Sequence, residues 1–258
     1  NVDNVDNDDS TSVAVSVGDV STVDTVVNVD GVVNDVPPSV DVSVDNVNDV
    51  VNIDNVDTGN SGDSISTGAG NDIVTSDAGD DYIDGGAGDD NLNGEDGADT
   101  IIGGAGADTL TGAGVSDVIN GGGGADILTA GGTLATLIGG AGNDTFVMNT
   151  ATNKNTYATI SDLTAGDKID TLAAVFDPTK VSLAGTASFL DYVTAAIVEA
   201  GADEAVWFQY GGNTYLVVDE VNANGATFVD GTDQIIEITG TVDLSAATFN
   251  TTTGDLTI

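Results

Sequence analysis

Cysteine and histidine are both missing from the 258 residues, and the only basic side chains are Lys154, Lys168 and Lys180. Without cysteine there is no disulfide framework and no thiol chemistry. Without histidine the usual zinc ligand, the usual general base and every Ser-His or Cys-His pair are excluded. Against the three cations stand 43 acidic residues, a net charge of −40. A polyanion of that density is repelled by nucleic acid and by anionic membranes. No apolar run approaches the roughly 20 residues of a membrane-spanning helix, so no membrane insertion is expected. No leader peptide is visible at the N-terminus. The chain opens on Asn1 rather than Met, and the expectation is a segment of a longer protein.

Two states fit so acidic a chain: a solvated disordered polymer, or a fold whose charge is offset by bound cations. Apolar residues make up 40% of the sequence, and Val, Ile and Leu recur at regular spacing. That favours the second state.

From Thr58 to Val147 the chain keeps a nine-residue register through ten consecutive units, without insertion. The sixth position is Asp63, Asp72, Asp81, Asp90, Asp99, Asp108, Asp117, Asp126 and Asp144, with Ala135 the single exception. The eighth position is apolar in every unit, from Ile65 through Leu92, Leu110 and Leu128 to Phe146. A flexible Gly/Asp linker would not hold an apolar residue in phase that long. Each unit reads as a glycine-rich turn followed by a brief strand. Glycine permits positive φ and close backbone approach, so turn carbonyls can converge with a carboxylate into an all-oxygen site. Such a site suits a hard cation such as Ca²⁺. Stacked coils also bring carboxylates within about 5 Å, where at an effective dielectric near 20 each pair repels by about 3 kcal/mol. One buried apolar side chain per nine ordered residues offsets little backbone entropy. The stretch is therefore expected to fold only with metal, binding energy serving as folding energy.

The units resemble the RTX nonapeptide, GGxGxDxUx, of calcium-binding proteins. The resemblance implies an all-β fold: a parallel β-roll or β-solenoid, two nonapeptides to each coil, with multiple Ca²⁺ ions between coils. It implies ions between units two apart, each held by carbonyls from positions two and four of one unit, positions one and three of its partner, and both sixth-position carboxylates. One column of units then carries Asp72, Asp90, Asp108, Asp126 and Asp144. Its successive sites are Gly68 and Gly70 with Gly85 and Ala87; Gly86 and Gly88 with Gly103 and Ala105; Gly104 and Gly106 with Gly121 and Gly123; and Gly122 and Gly124 with Gly139 and Ala141. The other column carries Asp63, Asp81, Asp99 and Asp117, with Gly79 and Gly97 at intact corners. It is interrupted at Asp77, Glu95, Val115, Thr133 and Ala135, so a weaker row failing near Val115–Ala135 is expected.

Residues 1–57 alternate Val with polar residues, as in Val13–Val15–Val17 and Val40–Val42–Val44, the period of strands. Val44-Asp-Asn-Val47 and Ile53-Asp-Asn-Val56 repeat at the coil's own period of nine, which favours a solenoid running into the roll; one sheet of a separate sandwich is the other reading. Pro37–Pro38 marks a loop or sheet edge. Asp45, Asp49, Asp54 and Asp57 are either calcium ligands or solvated turn residues.

Residues 148–258 are expected to form a small, mainly-β C-terminal domain with one helix. Ile160-Ser-Asp162 through Gly166-Asp167-Lys-Ile-Asp170 resembles the family's segment after the last repeat, so Asp162, Asp167 and Asp170 either hold another calcium or close the roll. Ser188 to Ala200 reads as a helix with Ser188 and Asp191 as a capping box, an apolar face on Phe189, Val193, Ala196, Ile197 and Ala200, and Gly201 as its stop. Val206–Tyr210 and Thr214–Val218 flank Gly211-Gly212-Asn213 as a hairpin, and strands are expected over Gly225–Val229 and Gln234–Thr239. Trp207, Tyr210 and Tyr215 are either hairpin core or a sugar or lipopolysaccharide contact. The ending Phe249–Ile258 is either part of a secretion signal or a frayed terminus.

The stretches Ala205–Asp219 and Gly225–Gly240 resemble the tails of RTX-type surface-layer proteins of Gram-negative bacteria. That implies a structural, non-enzymatic role: an extracellular protein exported by type I secretion and self-assembling with identical protomers into a lattice on the cell surface. Attachment to lipopolysaccharide would lie in regions outside this chain. The other functions that fit are the tail of a large RTX adhesin and the export module of a secreted RTX hydrolase. No His, Cys or nucleophile motif with partners supports catalysis within these residues.

Overall fold

The computed structural model describes residues 62–148, 157–171, 173, 175–200, 204–219, 228 and 233–258, together with the backbone of strands within residues 2–57. Every nonapeptide from the first to the tenth contributes a three-residue strand or the start of a longer one, centred on its eighth position. The period of nine alternates these strands between two facing sheets. One sheet takes Ile73–Thr75, Asn91–Asn93, Thr109–Thr111, Ile127–Thr129 and Thr145–Val147; the other takes Ser64–Ser66, Tyr82–Ala87, Thr100–Ala105, Val118–Gly123 and Thr136–Ala141. Neighbours are parallel and separated by two nonapeptides, as in Leu110↔Leu128 and Ile101↔Ile119. This is the β-roll that the repeat implied.

The reason is visible in burial. The central residue of each strand points inward, so Ile65, Ile83, Leu92, Ile101, Leu110, Ile119, Leu128 and Leu137 are all fully buried. Parallel strands stack identical positions, and the apolar column packs against its facing column as one narrow core.

The same two sheets extend toward the N-terminus. Val2–Asp6, Val27–Val33 and Val51–Asp57 add to the first sheet in parallel, and Val13–Val17 and Val40–Val44 add to the second. The solenoid reading holds, and the separate sandwich does not. The coils here are longer than two nonapeptides, however, and unequal: Val2 pairs with Val29, Val27 with Val51, and Asp41 with Ser64. The sequence between these strands lacks the regular glycine corners that set the downstream period, so longer connections are accommodated. Pro37–Pro38, Asp45 and Asp49 lie outside the described residues. Asp54 and Asp57 lie in a strand rather than a turn.

C-terminal to the roll both sheets continue. Ala158–Ile160 pairs parallel with Thr136–Leu137 on one side and with Gln234–Ile238 on the other. From there the sheet turns antiparallel through Asn213–Asp219 and Glu204–Tyr210, and ends on the edge strand Val175–Val181. Pro178 sits at that edge, beside a register shift between Phe176 and Lys180, where the missing N–H breaks no interior ladder. In the first sheet, Lys168–Asp170 continues the roll, and Asp255–Thr257 pairs with it antiparallel. The end of the chain is therefore ordered rather than frayed: Leu256 is buried, and the Ile258 N–H donates to the Asp167 carbonyl at 3.1 Å.

The helix runs Phe189–Glu199 with the expected reciprocal Ser188–Asp191 capping box. It leaves the helical conformation at Ala200, which is extended; Gly201, read as its stop, lies outside the described residues. Val193, Ala196 and Ile197 seat it on Val206, Phe208 and Val217 in a second core. The hairpin residues pack. Trp207 is 2% exposed and donates Nε1–H to the Pro178 carbonyl, and the Tyr215 hydroxyl donates to Glu237. A sugar contact through Trp207 and Tyr215 is thereby set aside. Within Gly225–Val229 only Phe228 is described, outside any strand.

Candidate metal centre

The glycine corners create the site. At the second position Gly68, Gly86, Gly104, Gly122 and Gly140 all adopt φ between 91° and 109°, a region that L side chains rarely enter. These corners also leave no room. A Cβ on Gly104 would lie 2.0 Å from the Gly86 carbonyl oxygen, and one on Gly103 would lie 2.4 Å from Asp108 Oδ2 and 2.7 Å from the Gly121 carbonyl oxygen. Main-chain oxygens of successive coils and a carboxylate thus converge where a side chain would otherwise stand.

The carboxylates form two ladders, in which a sixth-position Oδ1 accepts the backbone N–H of the equivalent residue one coil earlier. The bonds from Asp72 to Asp90, Asp90 to Asp108 and Asp108 to Asp126 measure 2.8–2.9 Å, and that from Asp126 to Asp144 measures 3.0 Å. The second ladder runs from Asp63 to Asp81, Asp81 to Asp99 and Asp99 to Asp117, and stops at Ala135.

The other oxygen is the informative one. Oδ2 of Asp90, Asp99, Asp108, Asp117, Asp126 and Asp144 is buried and accepts no hydrogen bond. An ionised oxygen held so is costly unless a cation meets it. Burial pushes Asp99 up to about 7 and Asp90 and Asp108 up to about 6, with like charge from neighbouring rungs adding to the shift. Among the described residues no three acidic or other ligating side chains converge. The oxygen count of a six- to eight-coordinate ion must come largely from carbonyls, as hard-cation sites allow. The donors are all oxygen, and Ca²⁺ fits them.

The family model of the RTX calcium-binding nonapeptide repeat matches in four copies, over residues 57–92, 84–118, 116–133 and 135–147. The segment is an RTX calcium-binding β-roll. Such repeats bind multiple Ca²⁺ ions between coils, and proteins that carry them are typically secreted. No curated protein matches the chain.

Both columns of sixth-position Asp residues stack coil on coil in the RTX roll, and their corners differ as their glycines do. In the weaker row, Asp77, Glu95 and Ala113 take the left-handed corner without being glycine, at φ of 62°, 62° and 65°. Where position four is Val115 or Thr133, the next residue turns left-handed instead: Ser116 at 68° and Leu134 at 66°. The carbonyls of those two turns are thus re-aimed, in the stretch where the row was expected to fail.

Beyond the last repeat, Asp162 and Asp167 come together with the final coil. The Asp144 N–H donates to Asp167 Oδ1 at 3.0 Å, and the Gly139 and Gly140 N–H groups donate to the two oxygens of Asp162, each at 2.8 Å. Asp170 is apart from them, paired across the sheet with Asp255. Gly140 and Gly142, with φ of 92° and 150°, form one more corner of the same geometry. No nonapeptide follows these two glycines in phase, so the repeat alone does not mark them as ligands.

Proposed function

We propose that this RTX module is a structural, non-catalytic part of an extracellular surface-layer protein, folded by calcium and joined to identical protomers on the bacterial surface. The buried, unpartnered Oδ2 row carries the calcium dependence. At low calcium its charges repel and the chain stays extended, a form compatible with type I export; outside the cell, ions filling the row fold it.

The assembly reading is supported by where charge is missing. Along the first sheet from Ile73 to Val147 every outward residue is uncharged: Thr, Asn, Ile or Val. Ile73 and Ile127 are 48% and 43% exposed there. On a chain of net charge −40 this face can meet a like copy with little repulsion.

Electron microscopy of purified protein in millimolar calcium should show ordered arrays that chelator disperses. Ile127→Asp and Thr109→Asp should block the arrays while leaving the calcium-induced circular dichroism intact. Arrays undiminished in both variants would remove this face from the assembly, and dispersed protein at every calcium concentration would remove the lattice.

A further inference from the structure

We propose that residues Asp162–Asp170 act as a displaced nonapeptide, and that a further divalent cation binds between them and the last repeat, held by Asp144, Asp162 and the carbonyl oxygens of Gly140 and Gly142. This site rests on the calcium-binding reading of the roll and extends it past Val147, where the recognisable repeats end.

Register places the segment in the roll. Lys168, Ile169 and Asp170 pair with Thr145, Phe146 and Val147, so Asp167 occupies the sixth position and buried Ile169 the eighth. Counting back, Asp162 occupies the first. The step from Asp144 to Asp167 is 23 residues, against 18 from Asp126 to Asp144. The excess falls after Val147, ahead of the strand Ala158–Ile160. From Asp162 to Asp170 the chain keeps the phase of the roll.

Two carboxylates at this end of the ladder contrast. In the well-formed row, Oδ2 of Asp90, Asp108, Asp126 and Asp144 each lies at the first-position glycine of its own unit. For Asp90, Asp108 and Asp126 the first-position carbonyl of the next coil reaches the same spot, within 2.7–2.9 Å of where that glycine's Cβ would stand. Each of these oxygens accepts no hydrogen bond and faces a coil beyond it. Asp167 has no nonapeptide coil beyond it, and there the protein itself supplies donors: Thr164 N–H at 2.6 Å and Thr164 Oγ1 at 3.0 Å both serve Asp167 Oδ2. The end of the ladder is therefore satisfied without metal. Asp144 is not. It is 1% exposed, its Oδ2 is unpartnered, and it points at Gly139, whose N–H is held by the Asp162 carboxylate. An oxygen built like those of the interior rungs, beside a second carboxylate, calls for a cation as they do.

The corner itself has the geometry of the earlier ones. Gly140 and Gly142, at φ of 92° and 150°, follow Gly122 and Gly124, at 101° and 153°, so their carbonyls are presented as in the coil before. The new site differs in one donor. Around Gly139 no first-position carbonyl approaches as the Gly121 and Gly139 carbonyls do in earlier coils, and the Asp162 side chain comes to that corner instead.

The test is anomalous diffraction from crystals of the whole chain grown with Tb³⁺ in place of Ca²⁺, joined to calorimetric counting of Ca²⁺. A peak contacting Asp144 Oδ2 and Asp162, and one fewer ion in Asp162→Asn, are expected. Peaks along Asp72–Asp144 with none at Asp162 would overturn the inference and leave the calcium roll standing; no peaks anywhere would overturn both. Should Asp162→Asn not fold, Thr164→Val provides the second reading. It loosens Asp167 without touching the proposed ligands, so the ion count should stay the same, and loss of an ion there would assign the site to Asp167 instead.

Discussion

Asp117 and Ala135 occupy the same corner on consecutive coils, and between them one carboxylate ladder ends. The Thr136 N–H still donates to the Asp117 carbonyl at 2.7 Å, so the strands remain in register although the carboxylate that would accept the Asp117 N–H is missing. Ala135→Asp should restore that rung. In calcium the variant should fold at a lower ion concentration, by a factor of about two to ten, since one added ligand bond is worth roughly 0.5–1.5 kcal/mol net. In chelator it should be less stable than the parent, because a buried charge has been added. A calcium titration followed by far-UV circular dichroism checks both signs. Re-aimed carbonyls at Val115 and Thr133 limit the gain.

Asp108 and Asp89 separate ligand from bystander. Asp108 is buried with an unpartnered oxygen, whereas Asp89 is exposed and accepts from the Ala107 N–H at 2.8 Å. Asp108→Asn should lower the number of tightly bound ions and raise the calcium needed for folding several-fold. Asp89→Asn should change either by less than about twofold, as exposed polar contacts contribute little. Terbium luminescence titration distinguishes them, and equal effects would place the ions on the outer face.

Two glycines test the cradle. Gly104→Ala puts a methyl at φ 109° and 2.0 Å from the Gly86 carbonyl oxygen, while Gly123→Ala meets nothing within 4 Å. The first should cost about 2 kcal/mol or more, as strained backbone positions do. The second should fall within about 0.5 kcal/mol of the parent. Denaturant unfolding in saturating calcium measures both.

The pH response follows from Asp90, Asp99 and Asp108. Burial raises them from 3.8 to about 6, 7 and 6. Because the folded state holds these protons more tightly, the metal-free roll is favoured below about pH 4 and loses that contribution as pH rises through 6 to 7. Calcium competes with the same protons. In chelator, strand signal should increase on acidification from pH 8 to 5, and in calcium the folding midpoint should rise over the same change.

Period nine explains why the roll was legible. With one apolar residue and one Asp at fixed phase, Leu110 had to stack on Leu128 and Asp108 on Asp126; strand direction, core and ladder all follow from one repeat. The altered turns and the end of the second carboxylate ladder were equally legible at Val115, Thr133 and Ala135. Three things were not. The N-terminal coils differ in length, and no glycine repeat in that stretch of sequence fixes their period. The segment Asp162–Asp170 was visible, but its register with the last repeat was hidden by the extra chain inserted ahead of it. The pairing of Ala158–Ile160 with Gln234–Ile238 joins segments with the helix and the hairpin between them, and no local pattern marks such a contact.

Coils bonded sideways to their neighbours have a mechanical consequence. Tension applied along the stack loads the hydrogen bonds of one coil at a time rather than all together, so the roll should peel instead of snapping. Each coil would release about 60 Å of chain, the extended length of two nonapeptides. A cell coat built of such rolls could give way by small steps under osmotic stretch and re-form when slack and supplied with ions.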